Sequence, residues 1–233
     1  MKFYLASSNL NKKREMAELF PEHEIIIPKD EGIDFSPEET GETFYENSII
    51  KAKALWRIVH KPVFADDSGI CVDILNGVPG IFSARYAGPS HERGLENGQK
   101  IQQQQQNSFL ISQTNDALKK FSNLDEMKAA LPLQSFLNGE RSAHYVCAMV
   151  LYAGPDRIFV AQETMEGTLV EKIEDARGSG GFGYDPLFYL PEFKKTAAEL
   201  TAEQKNAISH RGKAARIIKK IASSLPDFSV WFS

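Results

Sequence analysis

Hydrophobic and polar positions follow two different periods along this chain, and together they predict an α/β protein. Apolar residues recur at helical spacing in three segments, just after residue 9, from 44 to 59 and from 202 to 222. Short apolar runs between polar segments predict strands, at residues 2–6, 25–28, 62–65, 143–153, 157–166 and 187–190. The nearly continuous run at 143–153 is typical of a central strand. The pattern therefore predicts a mixed sheet flanked by helices.

The start of the second helix has a recognisable signal. Thr43 and Glu46 have the spacing of a capping box, with the hydroxyl first and the carboxylate three residues later. The apolar stripe that follows is expected in the core and comprises Tyr45, Ile49, Ala52, Trp56 and Val59. Asn47 and Lys51, four residues apart, share a different face of this helix.

The middle of the chain carries less information. We predict one domain over residues 1–233, with a variable, Gln-rich insertion at about residues 96–140. A helix is predicted around residues 92–111, and Pro132 is expected to break the segment that follows it. No residue of this insertion is predicted to take part in chemistry.

The composition excludes several classes of partner. A net charge of −4 over 233 residues gives no overall attraction to nucleic acid or to an anionic membrane. No apolar run reaches about 18 residues, and the N-terminus lacks the long apolar core of a signal peptide. Cys71 and Cys147 are few and far apart, which suits a reducing compartment and argues against a structural zinc site. We therefore expect a cytoplasmic protein that binds neither nucleic acid nor membrane.

Two adjacent carboxylates, Asp66 and Asp67, follow the strand predicted at residues 62–65. Neighbouring like charges repel unless a cation lies beside them. Mg²⁺ is a natural candidate, since it takes one or two carboxylates and completes its shell with water and phosphate oxygens. The alternative is a turn, because Asp, Ser and Gly also commonly end a strand.

Two further segments suit a nucleotide. Lys12 lies in the first turn of the predicted first helix, where a cation is unfavourable unless an anion such as phosphate binds the exposed N–H groups beside it. The glycine-rich loop at residues 178–186 contains Phe182 and Tyr184, whose rings can stack on a planar base. This loop is neither a Walker A sequence nor a dinucleotide-binding fingerprint. Basic groups for phosphates, carboxylates for magnesium and rings for a base together indicate a nucleotide site.

Six segments, in this order along the chain, also carry a family resemblance. They are residues 7–15 (SSNLNKKRE), 39–47 (ETGETFYEN), 65–73 (ADDSGICVD), 77–88 (GVPGIFSARYAG), 180–186 (GGFGYDP) and 205–211 (KNAISHR). In these segments the chain resembles the Ham1/RdgB inosine triphosphate pyrophosphatase family. The match covers residues 2–95 and 140–222, whereas residues 96–140 are longer than the family's usual connection.

The resemblance implies a fold, an activity and an assembly. The implied fold is a mixed α/β structure with a long central sheet and two lobes, with an active-site cleft between the lobes. The implied activity is Mg²⁺-dependent hydrolysis of ITP, dITP and XTP to the monophosphate and pyrophosphate, which removes them from the nucleotide pool. The implied assembly is a homodimer.

The resemblance also assigns roles to individual residues. Asp67 corresponds to the catalytic proton acceptor and a metal ligand, and Glu38 or Glu39 corresponds to a second metal ligand, of which we favour Glu38. The residues that correspond to substrate-binding positions are Ser7, Ser8, Asn9, Lys12, Lys51, Ser68, Phe182, Gly183, Tyr184, Asp185, Lys205, His210 and Arg211. Of these, Lys12 and Lys51 are expected to stabilise the polyphosphate. His210 or Arg211 is expected to donate to O6 of the base and so to reject adenine.

Two alternatives remain open from the sequence. A Maf-like pyrophosphatase for other modified nucleotides would share much of this pattern, but the His210–Arg211 pair argues against it. A module that senses a nucleotide without hydrolysing it would not need Asp67, the acid that activates water.

Overall fold

The structure is a computed structural model that describes residues 2–87, 102–181 and 183–224, together with the backbone of residues 95–96 and 99–100. Phe182, which was predicted to bind substrate, lies outside the described residues. The α-helices are α1 Leu10–Leu19, α2 Phe44–Val59, α3 Gln103–Leu118, α4 Leu124–Ala130, α5 Ala202–Ile208 and α6 His210–Ser224. The strands are β1 Lys2–Leu5, β2 Glu24–Ile26, β3 Val63–Val72, β4 Leu95–Glu96, β5 Gln99–Lys100, β6 Ser142–Tyr152, β7 Ile158–Leu169, β8 Phe188–Leu190 and β9 Lys195–Thr196.

Seven of these strands form one mixed sheet in the order β2-β1-β3-β6-β7-β8-β9. Strand β1 pairs in parallel with β2 and β3, whereas β8 pairs antiparallel with β7 and β9. The long apolar strand β6 lies in the middle, as its nearly continuous burial requires. The predicted α/β class with a long central sheet is confirmed. The two lobes and the cleft stay predictions.

The described residues fall into two compact units. Unit 1 comprises residues 2–68, 146–164 and 206–224, and unit 2 comprises 69–145 and 165–205. In unit 1, the side chains of β1 and β3 alternate between two hydrophobic clusters. Phe3, Leu5 and Phe64 belong to the cluster that contains the buried residues of α1 and α6. Tyr4, Val63 and Ala65 belong to the cluster that contains those of α2.

Strand β3 is longer than the sequence pattern predicted. It runs from Val63 to Val72, so Asp66 and Asp67 lie inside the strand and the alternative of a strand-ending turn is wrong. Successive side chains of a strand point to opposite faces of the sheet. The two carboxylates, adjacent in sequence, therefore belong to different faces.

Three other predictions need correction. On α2, Tyr45 is exposed, and the buried face is polar as well as apolar because it includes Asn47, Ser48 and Lys51. The helix predicted at 92–111 begins only at Gln103, after the paired strands β4 and β5. The final helix is interrupted at Ser209, which separates α5 from α6.

In unit 2, the buried Asp73 connects three segments. Its Oδ2 atom accepts hydrogen bonds from the Phe136 N–H (2.6 Å) and from the Ser135 hydroxyl (3.3 Å). Its Oδ1 atom lies 3.5 Å from Nδ1 of His144 on β6. The neighbouring Asp73 carboxylate, with Cys71 as a further partner, raises the pKa of His144 to about 10. His144 is therefore a charged structural histidine at neutral pH.

This ion pair predicts a pH-dependent stability. The folded-state pKa of His144 lies above the unfolded value of about 6.5, so the stabilisation is complete below pH ~6.5 and is lost as the pH rises towards 10. We expect the His144→Gln variant to be less stable than the wild type by about 1–3 kcal/mol at pH 6, with a smaller difference at pH 10. Urea unfolding at both pH values measures this. A difference that does not change with pH would contradict the assignment.

Candidate active site

Asp66 is the centre of a buried charge network in unit 1. It is 1% exposed, and Lys12 Nζ on α1 lies 3.0 Å from its Oδ2 atom. From α6, Nη2 and Nε of Arg211 donate to the same oxygen at 3.0 and 3.2 Å. Burial alone would raise the pKa of the Asp66 carboxyl, but Lys12 and Arg211 hold it well below its usual value. Asp66 is therefore ionised and fully paired in charge.

Arg211 is held by more than Asp66. Its Nη1 atom forms an ion pair with Glu15 on α1, and its Nη2 atom donates to the Ser68 hydroxyl at 2.9 Å. Burial would lower the pKa of the guanidinium, but Asp66 and Glu15 raise it further above its ordinary value. Because Arg211 donates to Ser68, the hydroxyl proton of Ser68 remains available for another acceptor.

The break before α6 places Arg211 in this network. The Ser209 hydroxyl accepts the N–H of Gly212 at 3.0 Å, which satisfies one of the unpaired donors of the helix start. A side chain at Gly212 is impossible, since a Cβ there would lie 1.9 Å from the Asn206 carbonyl oxygen. The close approach of α5 and α6 that glycine permits fixes where α6 begins.

Asp67 belongs to a second cluster, on the face of the sheet covered by α2. Lys51 Nζ lies 2.7 Å from Asp67 Oδ1 and 3.5 Å from Glu39 Oε1. Burial would lower the pKa of Lys51, but Asp67 and Glu39 raise it, so Lys51 is a charged ammonium. The other oxygen of Asp67, Oδ2, is buried and has no hydrogen-bond partner among the residues that the structure describes.

The two clusters differ in net charge. Around Asp66, two carboxylates (Asp66 and Glu15) meet two cations (Lys12 and Arg211), so the network is neutral. Around Asp67, two carboxylates share one ammonium, which leaves a net charge of −1. An additional cation is therefore favoured at Asp67 and not at Asp66.

The Asp67 cluster fits a magnesium ion. The unpaired Oδ2 atom is a hard oxygen ligand, and Glu39 supplies a second carboxylate nearby. Within the described ranges, no group of three or more His, Cys, Asp and Glu side chains is placed to hold a metal on protein ligands alone. Mg²⁺ uses few carboxylates and takes its other ligands from water and substrate phosphates.

The structure distinguishes Glu38 from Glu39. Glu38 is exposed, whereas Glu39 is half-buried and contacts Lys51. The predicted metal role of Glu38 stays a prediction, and the geometry favours Glu39.

The predicted phosphate-binding loop lies between β1 and α1. Asn9 caps α1, because its Oδ1 accepts from the N–H groups of Asn11 (2.8 Å) and Lys12 (3.3 Å). Its own N–H donates to the Ser7 hydroxyl at 3.1 Å, and Ser8 is exposed. Ser7 and Asn9 thus shape the loop that presents Lys12, and direct contacts of Ser7, Ser8 and Asn9 with substrate stay predictions.

The other predicted substrate-binding residues fall in two places. In unit 2, Lys205 Nζ lies 2.8 Å from Asp185 Oδ2, and the nearby Gly183 has a left-handed backbone (φ +66°). Tyr184 is buried, and its hydroxyl donates to the Ser83 carbonyl oxygen at 2.9 Å, so it anchors the loop. In unit 1, His210 is buried at the first position of α6.

Sequence reasoning missed two residues around Asp66. Glu15 follows Lys12 by three positions on α1, and this helical spacing alone signalled that the two share a face. Cys147 Sγ lies 3.9 Å from Asp66 Oδ2, and burial raises the pKa of this thiol. Nothing in the sequence marked Cys147 as a neighbour of the site.

The model of the Ham1 family matches residues 3–221. The chain belongs to the Ham1 family. The dITP/XTP pyrophosphatase of Treponema denticola is 50% identical over 92% of this chain and 94% of that protein. The dITP/XTP pyrophosphatase of Clostridium perfringens is 38% identical over 94% and 95%. The solved structure of a HAM1 protein from Coxiella burnetii has a TM-score of 0.75 at 32% identity, over 97% of this chain and 100% of that one.

Membership in the Ham1 family confirms the resemblance inferred from the six segments. All six segments lie inside the matched range. In the part of the chain that the structure describes, no helix is long and apolar enough to cross a membrane.

Proposed function

We propose that this Ham1-family chain hydrolyses dITP, ITP and XTP to the nucleoside monophosphate and pyrophosphate, with Mg²⁺ held by Asp67 and Glu39. The observation that carries the proposal is the Asp67 cluster, in which a buried carboxylate oxygen has no hydrogen-bond partner among the described residues. That oxygen belongs to a strand within the range matched by the Ham1 family, and relatives with 50% and 38% identity are dITP/XTP pyrophosphatases.

Asp67 accepts the proton of the attacking water in this proposal. The water oxygen forms a bond to the α-phosphorus, the bond from that phosphorus to the bridging oxygen breaks, and pyrophosphate leaves with the electron pair. Lys51 lies 2.7 Å from Asp67 Oδ1 and so holds the carboxylate by that oxygen, which leaves Oδ2 for the water. A bound Mg²⁺ would neutralise phosphate charge and favour ionisation of the water.

Lys12, Ser68 and His210 bind the nucleotide. Ser68 accepts from Arg211 and therefore donates its own proton to a phosphate oxygen. Lys12 adds a positive charge near Asp66 for the same phosphates. Arg211 is engaged by Glu15, Asp66 and Ser68. We therefore assign to His210 the role of the hydrogen-bond donor that contacts O6 of the base. A donor at O6 disfavours adenine, whose amino group would leave it unpaired.

One assay tests the activity. The purified chain is incubated with Mg²⁺ and dITP, ITP, XTP, GTP or ATP, and pyrophosphate and orthophosphate are measured separately. We expect pyrophosphate from the first three and little turnover of ATP. Orthophosphate as the primary product would overturn attack at the α-phosphorus. Binding without turnover of any of the five would favour a nucleotide sensor.

Replacing Glu39 tests the metal assignment. We expect Glu39→Gln to raise the Mg²⁺ concentration needed for half-maximal rate by about 10-fold or more, because it removes a carboxylate next to Asp67. The same measurement on Glu38→Gln shows which of the two adjacent acids binds the metal. Glu42→Gln is the control, because it removes one negative charge from an exposed residue of the same segment. A larger effect at Glu38 than at Glu39 would reverse the assignment.

We propose that the enzyme acts in the cytoplasm and that it is a homodimer. Cys71 and Cys147 are both free and buried, which supports a reducing compartment. Light scattering of the purified chain tests the assembly, and a mass equal to that of one chain would exclude the dimer.

A further inference from the structure

Asn47 is a fully buried polar residue on the face of α2 that carries Lys51. Its exposed fraction is 0%, and it precedes Lys51 by four residues, which is one helical turn. Its Oδ1 atom accepts the N–H of Gly41 at 2.9 Å. Its Nδ2 atom is buried and has no hydrogen-bond partner among the residues that the structure describes.

Gly41 packs against Asn47 too closely for any side chain. A Cβ at Gly41 would lie 2.6 Å from Glu46 Cβ, 2.8 Å from Asn47 Oδ1 and 2.9 Å from the Asn47 backbone nitrogen. The next two N–H groups, of Glu42 and Thr43, both donate to Glu46 Oε2, at 2.7 and 3.0 Å. Three successive N–H groups are therefore held by the first turns of α2.

This anchor limits where Glu39 can reach. Glu39 precedes Gly41 by two residues, and an extended chain advances only about 3.3–3.6 Å per residue. With Gly41 fixed beside Asn47, the Glu39 carboxylate lies 3.5 Å from Lys51 Nζ, which in turn lies 2.7 Å from Asp67. From this geometry we infer that Asn47 is a positioning residue that holds Glu39 at the Asp67 cluster through the N–H of Gly41. The consequence for metal binding rests on the proposed function.

The stability of α2 alone does not explain an asparagine here. The helix start is already satisfied by the reciprocal bonds of Thr43 and Glu46. Asparagine is a poor residue for a helix interior, and a buried amide donor without a partner opposes folding. Among the described residues, the side chain of Asn47 forms one hydrogen bond to another part of unit 1, and that bond holds the acidic segment, residues 38–43.

Two substitutions disturb this contact from its two sides. Asn47→Ala removes the acceptor, and Gly41→Ala forces the segment away while Asn47 stays intact. Ser48→Ala is the matched control, because Ser48 is equally buried on α2 and loses a 2.8 Å hydrogen bond to the Ala148 carbonyl oxygen without touching the acidic segment. Asn47→Asp retains an acceptor for Gly41 and serves as the conservative variant.

Two quantities are measured on the intact protein. The first is the rate of amide hydrogen exchange, read out in the proteolytic peptide that covers residues 38–43. The second is the Mg²⁺ concentration that gives half-maximal pyrophosphate release. We expect Asn47→Ala and Gly41→Ala to speed the exchange at least 10-fold and to raise the Mg²⁺ requirement about 10-fold, with a smaller effect on KM for the nucleotide. Ser48→Ala should stay within about 2-fold in both, and Asn47→Asp should restore most of the protection.

If Asn47→Ala and Gly41→Ala behave like Ser48→Ala in both measurements, the inference is wrong. It is also overturned if exchange accelerates while the Mg²⁺ requirement stays at the wild-type value. If the wild-type chain releases no pyrophosphate from any nucleotide, the proposed function fails. In that case, the amide exchange rates and the Mn²⁺ affinities of the nucleotide-free wild type and variants are compared, and they decide whether Asn47 positions Glu39 as a metal ligand.

Discussion

Replacing Asp67 with asparagine is expected to reduce kcat by about 10³-fold, within the range of 10²–10⁴ for loss of a general base. The amide cannot accept a proton from the attacking water, and it is a weaker metal ligand than the carboxylate. Folding should be preserved, because asparagine has the same shape as aspartate and its Oδ1 can still accept a hydrogen bond from Lys51. Lys51 also keeps Glu39 as a counter-charge. Pyrophosphate release at saturating nucleotide measures kcat, and urea unfolding measures stability.

The control for this prediction is Asp30→Asn. Asp30 is exposed and forms an ion pair with Lys13 in the same unit, so its loss removes one aspartate charge away from the cluster. We expect normal turnover from that variant. An Asp67→Asn enzyme that works within a few-fold of the wild type would show that another group accepts the proton.

The elements predicted correctly are those in which burial dominates the local pattern. Strand β6 is nearly continuously apolar, and β1 begins the chain as a short apolar run, so both could be recognised without knowledge of their neighbours. The extension of β3 through Asp66, Asp67, Ser68 and Gly69 could not, because these residue types favour turns. Pairing within the sheet and buried counter-charges override that preference, and both are tertiary effects.

The site was predicted unevenly for the same reason. Motif spacing identified Lys12, Asp67 and Arg211, but the partners of each charge depend on contacts between distant segments. Glu15 and Arg211 are separated by 196 positions, and no local pattern relates them. The choice of Glu39 over Glu38 likewise depends on how residues 41–43 fold back on α2, which is visible only in three dimensions.

The strand conformation of β3 explains how two adjacent aspartates acquire different tasks. Alternation places Asp66 towards α1 and α6, where Lys12 and Arg211 neutralise it, and places Asp67 towards α2, where one lysine is shared. Asp66 therefore lies in a network whose charges balance, and Asp67 lies beside a single ammonium that it shares with Glu39. A turn at this point would not separate the two environments.

The largest effect on stability is expected from Arg211→Met. Methionine fills part of the volume but leaves Asp66 and Glu15 buried with only Lys12 as counter-charge. Removing one partner from a buried charge network costs about 3–5 kcal/mol. Asp66 has a lowered pKa in the folded wild type, so its stabilisation is present above the unfolded pKa of about 3.9 and is lost as the pH falls below it. The deficit of the variant should therefore be largest near pH 7 and shrink progressively as the pH falls below about 4.

Urea unfolding of the wild type, Arg211→Met and Arg216→Met at pH 7 and at about pH 3 measures this prediction. Arg216 is the matched control, because it is an exposed arginine on the same helix that donates only to the Asn206 and Ala207 carbonyl oxygens in the bonds described. Its loss should cost no more than about 1 kcal/mol. Adding Glu15→Gln to Arg211→Met restores a neutral network and should recover part of the loss, with a coupling of about 0.5–3 kcal/mol. A pH-independent deficit, or no recovery in the double variant, would mean that Arg211 stabilises the fold by packing and not by charge.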